Sequence, residues 1–139
     1  MYELMSTTVL PEKLSVGEGY GTVEWVIRSI YEGYTGWFRH NSTTELYSYS
    51  PKTIFSELND LIDKESALKK IKELIGKKEY LKAINISEII ISSDDNKEAL
   101  KMYLNIHQIL LKEAQKNSNR WIIKRLECEI EETKNKLNE

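Results

Sequence analysis

Two histidines, one cysteine and a scatter of carboxylates are the groups in this sequence that could do metal or covalent chemistry. His40 and His107 stand far apart, and neither lies in an HxH or HExxH spacing; an HxHxDH run is absent too. A catalytic metal site within the chain is therefore not expected. His107, set among Ile106, Gln108 and Ile109, reads as a helix-packing or surface residue. Cys128 lies between Glu127 and Glu129, neighbours that disfavour a thiolate, whereas an activated cysteine needs positive surroundings. It reads as a structural thiol. No GxSxG elbow, Walker A loop or GxGxxG run occurs. The glycine-rich Gly17–Gly21 stretch follows no strand pattern, so it does not form the strand–loop–helix cradle that phosphates need. Glu129, Glu131 and Glu132 fall on a charged terminal helix pattern with no sign of a cleft, and read as a solvated face.

Binding chemistry is better represented. Gly19 to Tyr47 carries Tyr20, Trp25, Tyr31, Tyr34, Trp37 and Phe38 in a chain otherwise rich in Lys, Glu, Leu and Ile. Aromatic side chains at helical spacing are usually core anchors, but they also gather at the buried centres of protein–protein contacts. Trp25 falls off the main apolar face of its helix. That offset suggests a partner surface.

The elements that position these residues follow from periodicity. Residues 1–19 read as an irregular lead-in punctuated by Pro11, Gly17 and Gly19, as if the chain were cut from a longer one. A first helix is expected over about Thr22 to Tyr34, capped by Thr22, with Val23, Val26, Ile27, Ile30, Tyr31 and Tyr34 inward. Arg39 to Ser48 reads as a loop. Ser50-Pro51 opens a second helix to about Ile62, with Ile54, Phe55, Leu58, Leu61 and Ile62 inward. Asp63 caps a third to about Ile75, ended by Gly76. A fourth, about Glu79 to Ser92, is apolar nearly all round and belongs in the middle of the fold. A fifth opens on a capping box of Asp95 and Glu98 and runs to about Lys116, with Ala99, Tyr103, Ile106, Leu110 and Ala114 on one face. A sixth, about Arg120 to Asn138, has a narrow stripe of Ile122, Leu126, Ile130, Thr133 and Leu137. Short connections make neighbours antiparallel. The expected fold is all-α, about six helices in stacked hairpins, forming one domain over residues 1–139.

Composition narrows the class. A chain of 139 residues with 40% hydrophobic content can bury a proper core. Its 20 basic and 22 acidic residues interleave to a net charge of −2, which gives no field toward nucleic acid. No apolar run approaches the roughly 20 residues of a membrane span, and the N-terminus is not a signal peptide. A single cysteine fits a reducing, cytoplasmic setting.

Two resemblances sharpen the reading. Leu74 to Leu100, with Gly76, Tyr80, Ala83, an Asp94-Asp95-Asn96 turn and Ala99, resembles a tetratricopeptide unit. The run Tyr20, Gly21, Val23, Trp25, followed by Tyr34, Gly36, Trp37, Phe38, resembles the opening of the alkyl sulfatase dimerisation domain. Pro11 and Leu14 fit its approach, and Gly76 to Ala83 and Asn119-Arg120-Trp121 fit its later part. Where many members carry Asp-Gly-Asn-Pro, this chain has Arg39-His40-Asn41-Ser42, marking a divergent branch.

That resemblance implies a homodimerisation module following a zinc-dependent metallo-β-lactamase-fold catalytic domain, with zinc held there and none here. It implies that Trp25, Trp37 and Phe38 contribute to the interface. It places Tyr34, Arg39, His40 and Asn41 near the substrate of that upstream domain, with the module helping to enclose the active site. The residues alone leave two other readings open: a free-standing tetratricopeptide-like adaptor, and a small enzyme using the His40 loop.

Overall fold

A computed structural model describes residues 1–14, 17–38, 42–93, 96–117 and 119–139. Seven α-helices occur among these residues, and no strand: α1 (Tyr2–Thr7), α2 (Val23–Thr35), α3 (Phe55–Leu61), α4 (Lys64–Gly76), α5 (Tyr80–Ile91), α6 (Lys97–Asn117) and α7 (Arg120–Asn138). Single 3-10 turns stand at Glu12–Leu14, Thr43–Leu46 and Pro51–Ile54. The all-α expectation holds, with six helices close to the expected ranges. The lead-in differs: Tyr2–Thr7 is helical, not irregular, and packs against α2.

Helix starts follow local chemistry. Thr22 accepts the Trp25 N–H, Asp63 accepts the Ser66 N–H, and Asn119 accepts the Ile122 N–H, each meeting a donor the helix cannot satisfy itself. Asp95 lies outside the described residues; the cap on α6 comes from Asn96, whose Oδ1 accepts the Ala99 N–H at 2.9 Å. The end of α4 also differs from expectation. Gly76 stays inside the helix, and Lys78 takes the left-handed conformation, with φ of 60°. The Glu79 N–H then donates to the Leu74 carbonyl and the Lys78 N–H to that of Ile75. This is a Schellman closure built on a lysine, a position where glycine is the commoner occupant.

The core lies where α4, α5 and α6 meet. Ile71 and Leu74 of α4, Ala83 and Ile90 of α5, and Ala99, Met102 and Ile106 of α6 form one buried cluster. Its small residues, Ala83 and Ala99, lie at the α4–α5–α6 contact and allow close approach of the helix backbones. Helix α5 contacts α3, α4 and α6, the central place its apolar sequence implied. Leu81 is its exception, on the exposed side. Two expected inward residues of the second helix face solvent instead, Ile54 and Leu61. The 3-10 turn that precedes α3 changes the residue period from 3.6 to 3. The short helix then turns Phe55, Leu58 and Asn59 inward, Asn59 being buried.

Helix α7 packs antiparallel on α6, burying Ile130 and Thr133. The Tyr103 hydroxyl donates to Glu129 at 3.0 Å, and Arg125 also pairs with Glu129. His107 is buried, its Nδ1 against the Tyr103 carbonyl at 2.8 Å and its ring 4.1 Å from that of Tyr103. It is the packing residue its neighbours implied. Burial, and then the Glu129 charge, hold the Tyr103 phenol above its ordinary value of 10.0. A group raised in the folded state stabilises the fold fully below its unfolded pKa and loses that contribution as pH rises toward the folded one. Stability is therefore expected to fall above about pH 10, and Tyr103→Phe should flatten that alkaline limb of a urea-unfolding pH series. An unchanged limb would contradict the assignment.

Candidate functional site

Helix α2 has an apolar face and no buried residue. Val23, Ile27 and Tyr31 are half-buried, while Val26 is 58%, Ile30 55% and Tyr34 90% exposed. The sequence pattern correctly marks this face as apolar, but the expectation that Val26, Ile30 and Tyr34 turn inward fails. Within the chain α2 packs chiefly on α1, a helix of only six residues that cannot cover it. Exposed apolar side chains at i, i+4 and i+8 form a continuous stripe on one helix side.

The stripe continues past the helix end. Gly36, with φ of 75°, terminates α2 in a conformation that costs a residue with a Cβ, and its N–H donates to the Glu32 carbonyl. The turn delivers Trp37, 67% exposed, beside the half-buried Phe38, with ring centroids 5.9 Å apart. The interface candidates Trp37 and Phe38 are thus brought together with Tyr34 at the same end of α2. Arg39, His40 and Asn41 lie outside the described residues.

Trp25, the third interface candidate, is 39% exposed. It faces α7, where Trp25, Trp121, Ile122, Arg125 and Leu126 surround an apolar hollow of about 400 Å³. Its ring covers Gly21, where an added Cβ would sit 3.7 Å from it. The aromatic that stood off the apolar face is thus the one directed at the rest of the chain, and the face itself is left open.

The segment before α2 is pinned to the α6–α7 junction. The Arg120 N–H donates to the Gly19 carbonyl at 2.9 Å; the Arg120 guanidinium donates to the Tyr20 hydroxyl at 3.0 Å and stacks over that ring at 5.4 Å. Sequence reasoning places Arg120 in a motif without finding this role, because the contact spans 100 residues. Glu18 adds a second lock, accepting the Val23 N–H at 2.9 Å in the positive first turn of α2. The helix is therefore held at its N-terminus, and its outer face stays presented.

Among the described residues, no group of three or more His, Cys, Asp or Glu could hold a metal ion, and no helix is long and apolar enough to cross a membrane. What the arrangement offers is an anchored helix with an open apolar stripe, which suits association. The family description alkyl sulfatase dimerisation matches residues 1–131. The chain belongs to that family. No curated protein and no solved structure matches it. The match to the alkyl sulfatase dimerisation family covers the Tyr20–Phe38 motif, α4 to α6 and the first part of α7, and marks the chain as a dimerisation module of alkyl sulfatases.

Proposed function

We propose that the chain pairs with a second copy of itself through α2 and its Trp37 turn. The observation that carries this is the apolar stripe of Val26, Ile30, Tyr34 and Trp37, which stays open to solvent among the described residues. Each exposed apolar side chain loses contact with water on association, at about 25 cal/mol per Å². Pairing about a twofold axis brings the same face of both copies together, so one stripe supplies both halves of the interface. A stable contact of this kind buries roughly 1,200–2,000 Å² in total. Sedimentation equilibrium of the intact chain tests the pairing. The expected species has twice the mass of the 16.3 kDa chain. A monomer at all concentrations would favour a tetratricopeptide-like adaptor instead.

In the parent protein the module joins two zinc-dependent metallo-β-lactamase-fold domains of a sulfatase-like hydrolase, in the cytoplasm. Zinc and the bond-breaking chemistry belong to those domains, and this module is non-catalytic. The turn after α2 helps to enclose their active sites, with Tyr34, Arg39, His40 and Asn41 near the substrate. Family membership supports this reading, as does the exposure of Tyr34 beside the turn. A guanidinium at position 39 can hold a sulfate oxygen pair by charge-assisted hydrogen bonds. Arg39→Ala in the parent enzyme should raise KM about tenfold, the effect of losing one such contact, with kcat little changed. An unchanged KM removes Arg39 from the substrate's surroundings.

A further inference from the structure

A cleft of about 490 Å³ opens between the end of α1 with the residues after it, the N-terminus of α2 and the α6–α7 junction. Its α2 residues, Val23 and Glu24, lie at the opposite end of that helix from Tyr34 and Trp37. At its base is Asn119, only 2% exposed. The Oδ1 of Asn119 is committed to the Ile122 N–H at 3.1 Å as the cap of α7. Its Nδ2 has no hydrogen-bond partner among the described residues. A buried donor left unpaired is costly, and a protein does not usually retain one without an acceptor to meet it.

The remaining walls define that acceptor's carrier. Glu18 and Glu24 line the cleft beside the N-terminus of α2, whose positive pole is already met by the Glu18 carboxylate. Both carboxylates have lone pairs left for further donors. No basic residue is among the described lining residues, so an anion has nothing to pair with there and two like charges to oppose it. Val9, Leu10 and Ile122 supply an apolar wall. An amino-acid amide combines the three complementary features: an ammonium for the carboxylates, a neutral carbonyl oxygen for Asn119 Nδ2, and an aliphatic side chain for the wall. We propose that this cleft binds the amino end of a peptide, or an amino-acid amide, carrying an aliphatic first side chain.

The test is an NMR titration of the intact chain with three probes: leucinamide, N-acetylleucinamide, which lacks the ammonium, and leucine, which adds a carboxylate. Leucinamide at millimolar concentration is expected to move the Asn119 side-chain amide signals and the backbone signals of the first turn of α2. Each of the other two should need about fivefold more, the effect of one partly exposed ion pair. Glu24→Gln should weaken leucinamide by a similar factor. Asn119→Ser keeps a capping oxygen and removes the amide donor, and it should abolish the preference for leucinamide over a fourth probe, 3-methylbutylamine, which differs from it only in lacking the carboxamide. If Asn119→Ser unfolds by circular dichroism, Glu24→Gln still decides the matter. Unmoved Asn119 signals would mean that the donor stays sealed from the cleft. Equal binding of all three probes, or an indifferent Glu24→Gln, would reduce the cleft to an unselective apolar hollow. Any of these outcomes overturns the assignment.

Discussion

Replacing Val26 with Asp and Ile30 with Glu together is expected to turn the dimer into a monomer, weakening association by at least about a hundredfold. Both side chains stand on the open stripe of α2 and lie outside the core cluster of their own chain. In a twofold contact each substitution enters the interface twice, so four carboxylates would be forced together or against apolar surface. Desolvating a charge with no partner costs several kcal/mol, more than a helix-face contact returns. The same residues are exposed in the single chain, where polar substitution changes stability by only about half a kcal/mol. Helical content by circular dichroism should therefore stay close to the parent's at concentrations where both chains are monomeric. Sedimentation velocity checks the association. A double variant that still dimerises with the parent's affinity would place the interface elsewhere.

The second large effect lies in the core. Ile90→Ala is expected to cost about 2–5 kcal/mol, because Ile90 is fully buried in the cluster that joins α4, α5 and α6. Removing it leaves a cavity between three helices that are held by one another and cannot collapse independently. Against a total stability of about 5–15 kcal/mol for a domain, that is a large fraction. Leu81→Ala supplies the control, since Leu81 lies on the same helix but is exposed, and should change stability by less than about 1 kcal/mol. Urea unfolding at a fixed protein concentration reads both values, a fixed concentration being needed because pairing adds to apparent stability. A loss below about 1 kcal/mol for Ile90→Ala would mean that this cluster is not the core that holds the hairpins together.

The helices are legible in the sequence because their signals are local. A capping Thr22, the Ser50-Pro51 start and the spacing of Ile71, Leu74, Ile106 and Ile130 depend only on near neighbours in the chain. The apolar stripe of α2 is equally legible as a stripe. Its destination is not, since periodicity tells that one face avoids water and not whether the cover is intramolecular. Periodicity thus turns Val26, Ile30 and Tyr34 inward, whereas the structure leaves them open. Trp25 stands off that face, and periodicity gives no sign of the hollow that it shares with α7. Ile54 and Leu61 escape the pattern because a 3-10 turn breaks the helical period. The pinning of Gly19 and Tyr20 by Arg120, and the unpaired Asn119 amide, rest on contacts remote in sequence that no spacing rule reaches. Family resemblance supplies what the residues cannot: that the open surface belongs to a dimerisation module.

The most direct test of that assignment is amide hydrogen exchange of α2, followed as protein concentration is raised through the dimerisation range. Val26, Ile30 and Tyr34 of α2 are exposed within their own chain, so pairing through that face adds protection beyond what the contact with α1 gives. The expected result is protection from Val26 to Tyr34 that grows with concentration, while the amides of α5 and α6 stay equally protected throughout. Protection of α2 that does not change with concentration, in a chain that dimerises, would contradict the account.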